Sequence, residues 1–240
     1  MCTLQIYPVC NSDVSNAICR GLPAYKSSAS RYHQRSQRLL KRSVDVVVSL
    51  AAIVLLFPVA LCIAIVIKLA SGGPVLFLQE RVGYQGKLFK MLKFRTMAVN
   101  NDAALHREFV RSFIHRIDRQ SGTPTKIISD PRTTAVGRLL RRTSLDEIPQ
   151  FINVLKGEMS LVGPRPCVPY EFEWYQDWHR GRVHAMPGLT GLWQVSDRTQ
   201  IEFNEMIVLD LHYLRQWSIW LDLKILCRTP YTVLTGKGAY

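Results

Sequence analysis

The sequence predicts an α+β fold, mostly helical, with one N-terminal membrane helix, interfacial amphipathic helices and a small β-hairpin. Three observations predict it. Val46 to Ile67 is an uncharged apolar run, about 33 Å long as a helix and so long enough to cross a bilayer. Two short β-like runs, Val75 to Leu78 and Leu88 to Met97, flank Gly83-Tyr84-Gln85-Gly86, which is the pattern of a hairpin. Much of the remainder has apolar residues at helical spacing, as in Ile148, Phe151, Ile152 and Leu155. The chain divides into a disordered basic arm (1–38), the membrane helix (39–70) and a cytoplasmic domain at the membrane interface (71–240).

The arm lacks sustained apolar periodicity and is polar and basic from Ser27 to Gln37. No apolar core with a cleavage site starts near Met1, so a signal peptide is not expected. Arg31, Arg35, Arg38, Lys41 and Arg42 crowd against the apolar run, where lipid headgroups would meet them. Basic residues follow the run as well: Lys68, Arg81, Lys87, Lys90, Lys93 and Arg95. Each flank therefore asks to be cytoplasmic, and a crossing helix cannot satisfy both. Pro58, near the middle, removes one helix hydrogen bond and favours a kink. A kinked, re-entrant helix that enters and leaves on one face satisfies both flanks.

Ser71-Gly72-Gly73-Pro74 breaks the helix ahead of the hairpin. On the second strand Lys90, Lys93 and Arg95 are interleaved with Phe89, Met91, Leu92 and Phe94. They read equally as charges that guard an edge strand or as a basic wall for a diphosphate. Ala103 to Asp118 is expected to be helical, followed by a loop through Ser121 to Pro124. Asp130-Pro131-Arg132 is a turn leading into a short basic helix, Thr134 to Arg142.

That helix delivers the central stretch, Arg141-Arg142-Thr143-Ser144-Leu145-Asp146-Glu147-Ile148-Pro149-Gln150. Two adjacent carboxylates sit here in a strongly basic neighbourhood. Ser144 and Glu147 match a capping box, but Pro149 would then cost a hydrogen bond inside the helix. A start between Asp146 and Ile148 fits better and lets the carboxylates project from the helix mouth, where the dipole favours negative charge and phosphate alike. Lys156-Gly157 ends the helix, and Gly163-Pro164-Arg165-Pro166 is a rigid turn. Glu171 to His184 is acidic and aromatic, suited to packing or to interfacial anchoring. Pro187 to Val195 is a turn and short strand, Ile201 to Gln216 an amphipathic helix, and Trp217 to Leu226 a Trp-rich apolar segment suited to the headgroup region or to a core.

Composition narrows the partners. Thirty-one Lys and Arg against eighteen Asp and Glu give a formal charge of +13, which points to phosphate-rich partners or an anionic membrane surface. The six cysteines, at 2, 10, 19, 62, 167 and 227, show no paired spacing, so neither a zinc site nor a disulfide framework is expected. The six histidines show no metal-ligand spacing either.

Taken together, the run Thr143 to Pro166, Lys93-Phe94-Arg95-Thr96-Met97, Asp130-Pro131-Arg132 and Pro187 to Val195 resemble the monotopic phosphoglycosyl transferases, bacterial enzymes that load a sugar-1-phosphate onto polyprenyl phosphate. The likeness extends from about Leu40 to the C-terminus. It implies a helix broken near a proline, here Pro58, although Phe57 stands where some members carry a serine, and it favours the re-entrant arrangement. It implies that Asp146 is a covalent nucleophile, that Glu147 is a ligand to Mg2+, and that Arg141, Arg165, Lys93 and Arg95 face the donor's phosphates. The expected donor is a UDP-sugar and the expected acceptor undecaprenyl phosphate, with UMP released, as the first membrane step of exopolysaccharide or other surface glycan synthesis. The expected place is the bacterial inner membrane, with the catalytic domain on its cytoplasmic face. Asp197 stands where the family prefers glycine, which puts the role of that loop in doubt.

The competing reading is a membrane-attached basic protein that binds nucleic acid or another polyanion. Such a binder gains nothing from two carboxylates in its basic face, and no RNA- or DNA-binding motif stands out, so no nucleic-acid partner is expected. A diphosphate beside two carboxylates calls for an intervening cation, and Mg2+ held by one or two carboxylates plus phosphate oxygens is the usual answer. The sugar cannot be read from the sequence, and a homo-oligomer stays open.

Overall fold

The computed structural model describes residues 35–97, 104–115, 132–196 and 201–235. The basic arm up to residue 34, the loop at 121–124, Asp130-Pro131 and Asp197-Arg198 lie outside the described residues. Helix α1, Arg35–Ser71, has 37 residues and runs through Pro58. It is the one described helix long and apolar enough to cross a membrane. Its two ends pack on the same domain. Lys41, Asp45 and Ser49, each four residues apart and so on one face, are buried near the start. Ile63 and Ile67 are buried near the end, against Phe94 and Leu140. Between them Val54, Leu55 and Phe57 are largely exposed. The outward side is apolar from Val44 to Ile65, with Val47, Leu61 and Ile65 also exposed, and polar residues Arg38, Ser43 and Lys68 are exposed only toward its ends.

The hairpin forms as its turn residues dictate. Strand β1 (Leu76–Val82) pairs antiparallel with β2 (Leu88–Phe94), in a register that sets Phe77 opposite Lys93 and Gln79 opposite Met91. Beyond β2's outer edge stands Asn153, fully buried, which accepts from Leu92 N at 2.9 Å and donates to Lys90 O at 2.8 Å. A side chain thus satisfies backbone groups that an edge strand would leave open.

After β2 the chain makes an excursion through α2 (Ala104–His115) and returns where Thr134 N donates to Thr96 O at 3.0 Å. There α3 (Ala135–Arg142) starts, capped by the Thr134 side chain accepting from Gly137 N. Gly137 packs directly on the Thr96 backbone, and a Cβ at this position would overlap the Thr96 carbonyl. That close approach seats α3 beside the end of β2. A 3-10 turn, Leu145–Glu147, then leads into α4 (Gln150–Lys156).

A second small sheet goes beyond the single expected hairpin. Strand β3 (Ser160–Val162) runs parallel to β4 (Gly188–Thr190). The strand expected within Pro187 to Val195 is β4, whereas three-residue β3 is too short to show a period of two and no pattern announced it. Gly163, just past β3, lies against the Met186 carbonyl with no room for a side chain. Between the strands lie α5 (Pro169–Glu173) and a 3-10 turn, His179–His184, and two helices follow, α6 (Phe203–Gln216) and α7 (Ile219–Thr235).

The main core gathers Met91, Val154, Leu161, Val162, Tyr213, Leu214, Trp217 and Ile225. Trp217 is 1% exposed, so it belongs to this core and cannot anchor in headgroups. The aromatic segment before β4 also packs inward, with Tyr175, Trp178 and Phe203 in a second cluster. On α7 one face is buried through Leu221, Asp222 and Ile225, while Trp220, Leu223, Tyr231 and Leu234 face outward. The mostly helical fold with a small hairpin and one long apolar N-terminal helix is as the sequence predicts.

Candidate active site

The carboxylate pair sits in the turn between α3 and α4. Ser144 adopts a left-handed backbone, φ 55°, and its side chain makes no capping hydrogen bond, so the capping-box reading does not hold. This conformation is unfavourable for a residue with a Cβ. It reverses the chain sharply after α3 and puts Asp146 and Glu147 in a single 3-10 turn ahead of the helix. Helix α4 itself begins at Gln150, after Pro149, slightly later than the spacing suggests.

Four of the residues expected here come together. Lys93 Nζ donates to Glu147 Oε1 at 2.8 Å and lies 3.9 Å from Asp146 Oδ2. Arg165 directs both terminal nitrogens to the same Glu147 oxygen, each at 3.4 Å. Asp146 is 7% exposed. Burial raises its carboxyl above the ordinary range, opposed by Lys93 and reinforced by the charge on Glu147. Burial likewise lowers the Lys93 ammonium, while Glu147 opposes that shift. Arg141 belongs to the same field, its charge acting on Asp146, and it is aimed by hydrogen bonds to Thr96 Oγ1 at 3.0 Å and Thr133 Oγ1 at 3.3 Å.

Arg95 is placed differently. Its guanidinium donates to Ser71 O at 3.1 Å, Ser71 Oγ at 2.7 Å and the Gly72 carbonyl. It thereby binds the carbonyl end of α1, where a cation is favoured, while its other terminal nitrogen is buried without a hydrogen-bond partner among the described residues. Pro58 lies in exposed helix, remote in sequence from this cluster.

Two arginines that sequence reasoning left aside hold the Gly163–Pro166 turn in place. Arg81 Nη1 donates to Pro166 O at 2.9 Å, and Arg182 Nη2 donates to Arg165 O at 2.8 Å. Arg182 is fixed in turn by Asp210 at 2.6 Å and the Tyr175 hydroxyl at 2.7 Å. Burial, helped by the neighbouring charge of Arg165, brings Arg81 down to about 10. One signal could have revealed the second of these arginines. Asp210 falls among Met206, Ile207, Leu211 and Leu214 on the apolar face of a helix, and a carboxylate there asks for a buried cation.

Among the described residues no group of three or more His, Cys, Asp or Glu side chains gathers as a metal cage. Two adjacent carboxylates fit a different kind of site, in which Mg2+ takes one or two carboxylates and completes its shell with substrate phosphates and water. Glu147, with Asp146 beside it, could supply such a donor set, and the cations already on Glu147 could then turn to phosphate.

Comparisons with known proteins bear on the whole of this arrangement. The family model described as bacterial sugar transferase matches residues 36–236. The chain is 40% identical to the undecaprenyl-phosphate galactose phosphotransferase of Salmonella typhimurium, covering 92% of this chain and 49% of that protein. It is 40% identical to the exopolysaccharide production protein ExoY of Sinorhizobium fredii, covering 83% and 88%. It is 41% identical to the UDP-glucose:undecaprenyl-phosphate glucose-1-phosphate transferase of Escherichia coli, covering 85% and 42%. The chain thus spans about half the length, or less, of two of these three relatives. The match over nearly all the described residues, from α1 through α7, makes this chain a member of the bacterial sugar transferase family.

Proposed function

We propose that this chain is a phosphoglycosyl transferase that moves a sugar-1-phosphate from a UDP-sugar to undecaprenyl phosphate at the cytoplasmic face of the bacterial inner membrane. The observation that carries the reading is the division of labour between two neighbouring carboxylates. Glu147 is neutralised by Lys93 and Arg165, whereas Asp146 is buried beside them with Lys93 Nζ 3.9 Å from its Oδ2, beyond hydrogen-bond distance. A desolvated carboxylate that no cation holds by a hydrogen bond is a competent nucleophile once ionised.

In this reading an Asp146 oxygen attacks the phosphorus that carries the sugar. The bond from that phosphorus to the bridging oxygen breaks, and UMP leaves with the electron pair. Lys93, Arg165 and Arg141 meet the charge that develops on the phosphates. An oxygen of undecaprenyl phosphate then attacks the same phosphorus, the bond to Asp146 breaks, and the carboxylate is restored. Mg2+ held by Glu147 and phosphate oxygens would supply charge neutralisation in both halves. A polyanion binder is disfavoured, because the same two carboxylates would repel its ligand.

Membrane attachment follows from α1. Its apolar outward side suits lipid, and both of its ends pack on the domain that bears the site, which supports a re-entrant helix over a spanning one. Single cysteines introduced near Ser36 and near Lys87 should both be shielded from an impermeant thiol reagent in intact cells; labelling of either from outside would contradict this topology. The names of the relatives, two for undecaprenyl-phosphate sugar transfer and one for exopolysaccharide production, support the substrates and a place at the first membrane step of surface glycan synthesis. Purified protein incubated with undecaprenyl phosphate, Mg2+ and a panel of UDP-sugars tests the function. One or a few sugars should release UMP and label the lipid, and no release with any of them would reject the reading.

A further inference from the structure

We propose that Phe77 is a binding residue for the lipid acceptor, holding its first isoprene units beside the reacting phosphorus. This rests on the proposed function and assigns the acceptor's side of the same site. Phe77 lies directly opposite Lys93 in the hairpin, so both side chains stand on one face, with Cβ atoms about 5 Å apart. Lys93 is the residue that reaches Glu147 and Asp146. Phe77 is therefore the nearest cross-strand neighbour of the group that touches the carboxylates. Yet it is 48% exposed, between Leu76 and Leu78, which are exposed too.

The surroundings indicate what covers it. Asn153 closes β2's outer edge, and Val82 N closes the far end of β1 by donating to Cys167 O at 2.9 Å, which leaves the Leu76–Leu78 end of β1 as the exposed part of the hairpin. Leu76 follows soon after the end of α1, where Ile63 and Ile67 meet Phe94 and Arg95 grips Ser71. Phe77 is exposed on the Lys93 face and Leu76 and Leu78 on the opposite one, so the start of β1 is apolar on both faces soon after the chain leaves α1. The carboxylates themselves are met by basic groups, Arg165 on Glu147 and the charge of Arg141 on Asp146, which suit a nucleotide diphosphate. In the proposal a phosphate seated at Asp146 carries its isoprenoid tail over Phe77, toward the apolar outward side of α1. Three side chains are far too little area for a stable dimer, so a second copy of the chain is not the occupant.

The test uses the full chain in vesicles containing undecaprenyl phosphate, with Phe77→Ala and Phe77→Leu. Partial loss of a buried aromatic contact should raise the KM for undecaprenyl phosphate about tenfold in the alanine variant, with most of it restored by leucine and the KM for the UDP-sugar unchanged. Only the first units touch Phe77, so geranylgeranyl phosphate should show the same penalty. An unchanged lipid KM would overturn the proposal, as would a parallel rise in donor KM, which would mark Phe77 as structural. A penalty with undecaprenyl phosphate alone, together with weaker vesicle binding, would give Phe77 to bilayer lipid and overturn it as well. If the wild type transfers to no polyprenyl phosphate, the functional reading has failed first and takes this assignment with it, an outcome distinct from a wild type that transfers and a Phe77 variant that matches it.

Discussion

Two buried clusters of lysine and carboxylate differ in almost every respect except composition. At the start of α1, Lys41 Nζ meets Asp222 Oδ2 at 2.6 Å and Val162 O at 3.0 Å. Asp222 also accepts from the Tyr213 hydroxyl at 2.8 Å and Trp217 Nε1 at 3.1 Å. Nearby, Asp45 accepts from Leu161 N at 3.1 Å. Lys41, Asp45 and Asp222 find partners at short range on relaxed backbone, although Ser49 Oγ, one turn beyond Asp45, has none among the described residues. At the other cluster the contacts to Asp146 and from Arg165 are long, three donors crowd one oxygen of Glu147, and Ser144 holds a left-handed turn. The first is a lock between α1 and the domain. The second is a set of charges arranged for a substrate that completes it. Residue type alone does not separate a structural ion pair from a reactive one; satisfaction does.

Four changes break or sharpen this contrast. Asp146→Asn should lower transfer roughly a thousand-fold or more, as removal of one member of a catalytic unit does. The same variant should unfold at a higher temperature than wild type near neutral pH. The sign follows from the raised carboxyl: the folded state prefers the protonated form, so ionisation destabilises it increasingly as pH rises from 3.8 and fully above the folded value. A lower melting temperature would remove Asp146 from the strained class. Lys41→Met has the opposite profile. It leaves Asp222 buried without its cation and should cost about 3 kcal/mol of stability, read by denaturant unfolding in detergent, whereas a loss below about 0.5 kcal/mol would show that the lock is not one.

Arg165→Lys keeps the charge and loses the planar fork. Activity should fall by roughly one to two orders of magnitude, in keeping with the ~1.5–3 kcal/mol of a charged hydrogen bond, and steady-state kinetics would check it. The smallest effect is on pH dependence. The acid limb of kcat/KM should have its midpoint above 3.8, the ordinary aspartate value, because burial raises Asp146. Loss of that limb's upward displacement in Lys93→Met would be unexpected, since Lys93 pulls the carboxyl down and its removal should move the midpoint higher still.

Much of the second cluster was legible in the sequence and little of the first. Asp146 and Glu147 announce themselves as adjacent carboxylates among arginines, and Lys93 stands in a strand whose charges are interleaved with apolar residues. The turn with Arg165 carries its own rigid prolines. The lock joins residues 181 positions apart in the chain, and no local period encodes such a contact. Its one trace is chemical: Asp45 and Asp222 lie at the edge of or within apolar helical segments, where a carboxylate needs a partner. Arg95 is a related case: two residues from Lys93 it shares the strand face, but the carbonyls at the end of α1 take its guanidinium, which no local pattern encodes.

The central claim is that Asp146 carries the phosphosugar. Wild-type protein with UDP-sugar and Mg2+ but no lipid acceptor, rapidly quenched, should release about one UMP per active site. Intact-mass spectrometry should find the mass of one phosphosugar on the protein, located to the peptide that contains Asp146. It should be absent from Asp146→Asn and discharged on adding undecaprenyl phosphate. Release of UMP only when the lipid is present, with no adduct on that peptide, would contradict the account and make transfer direct.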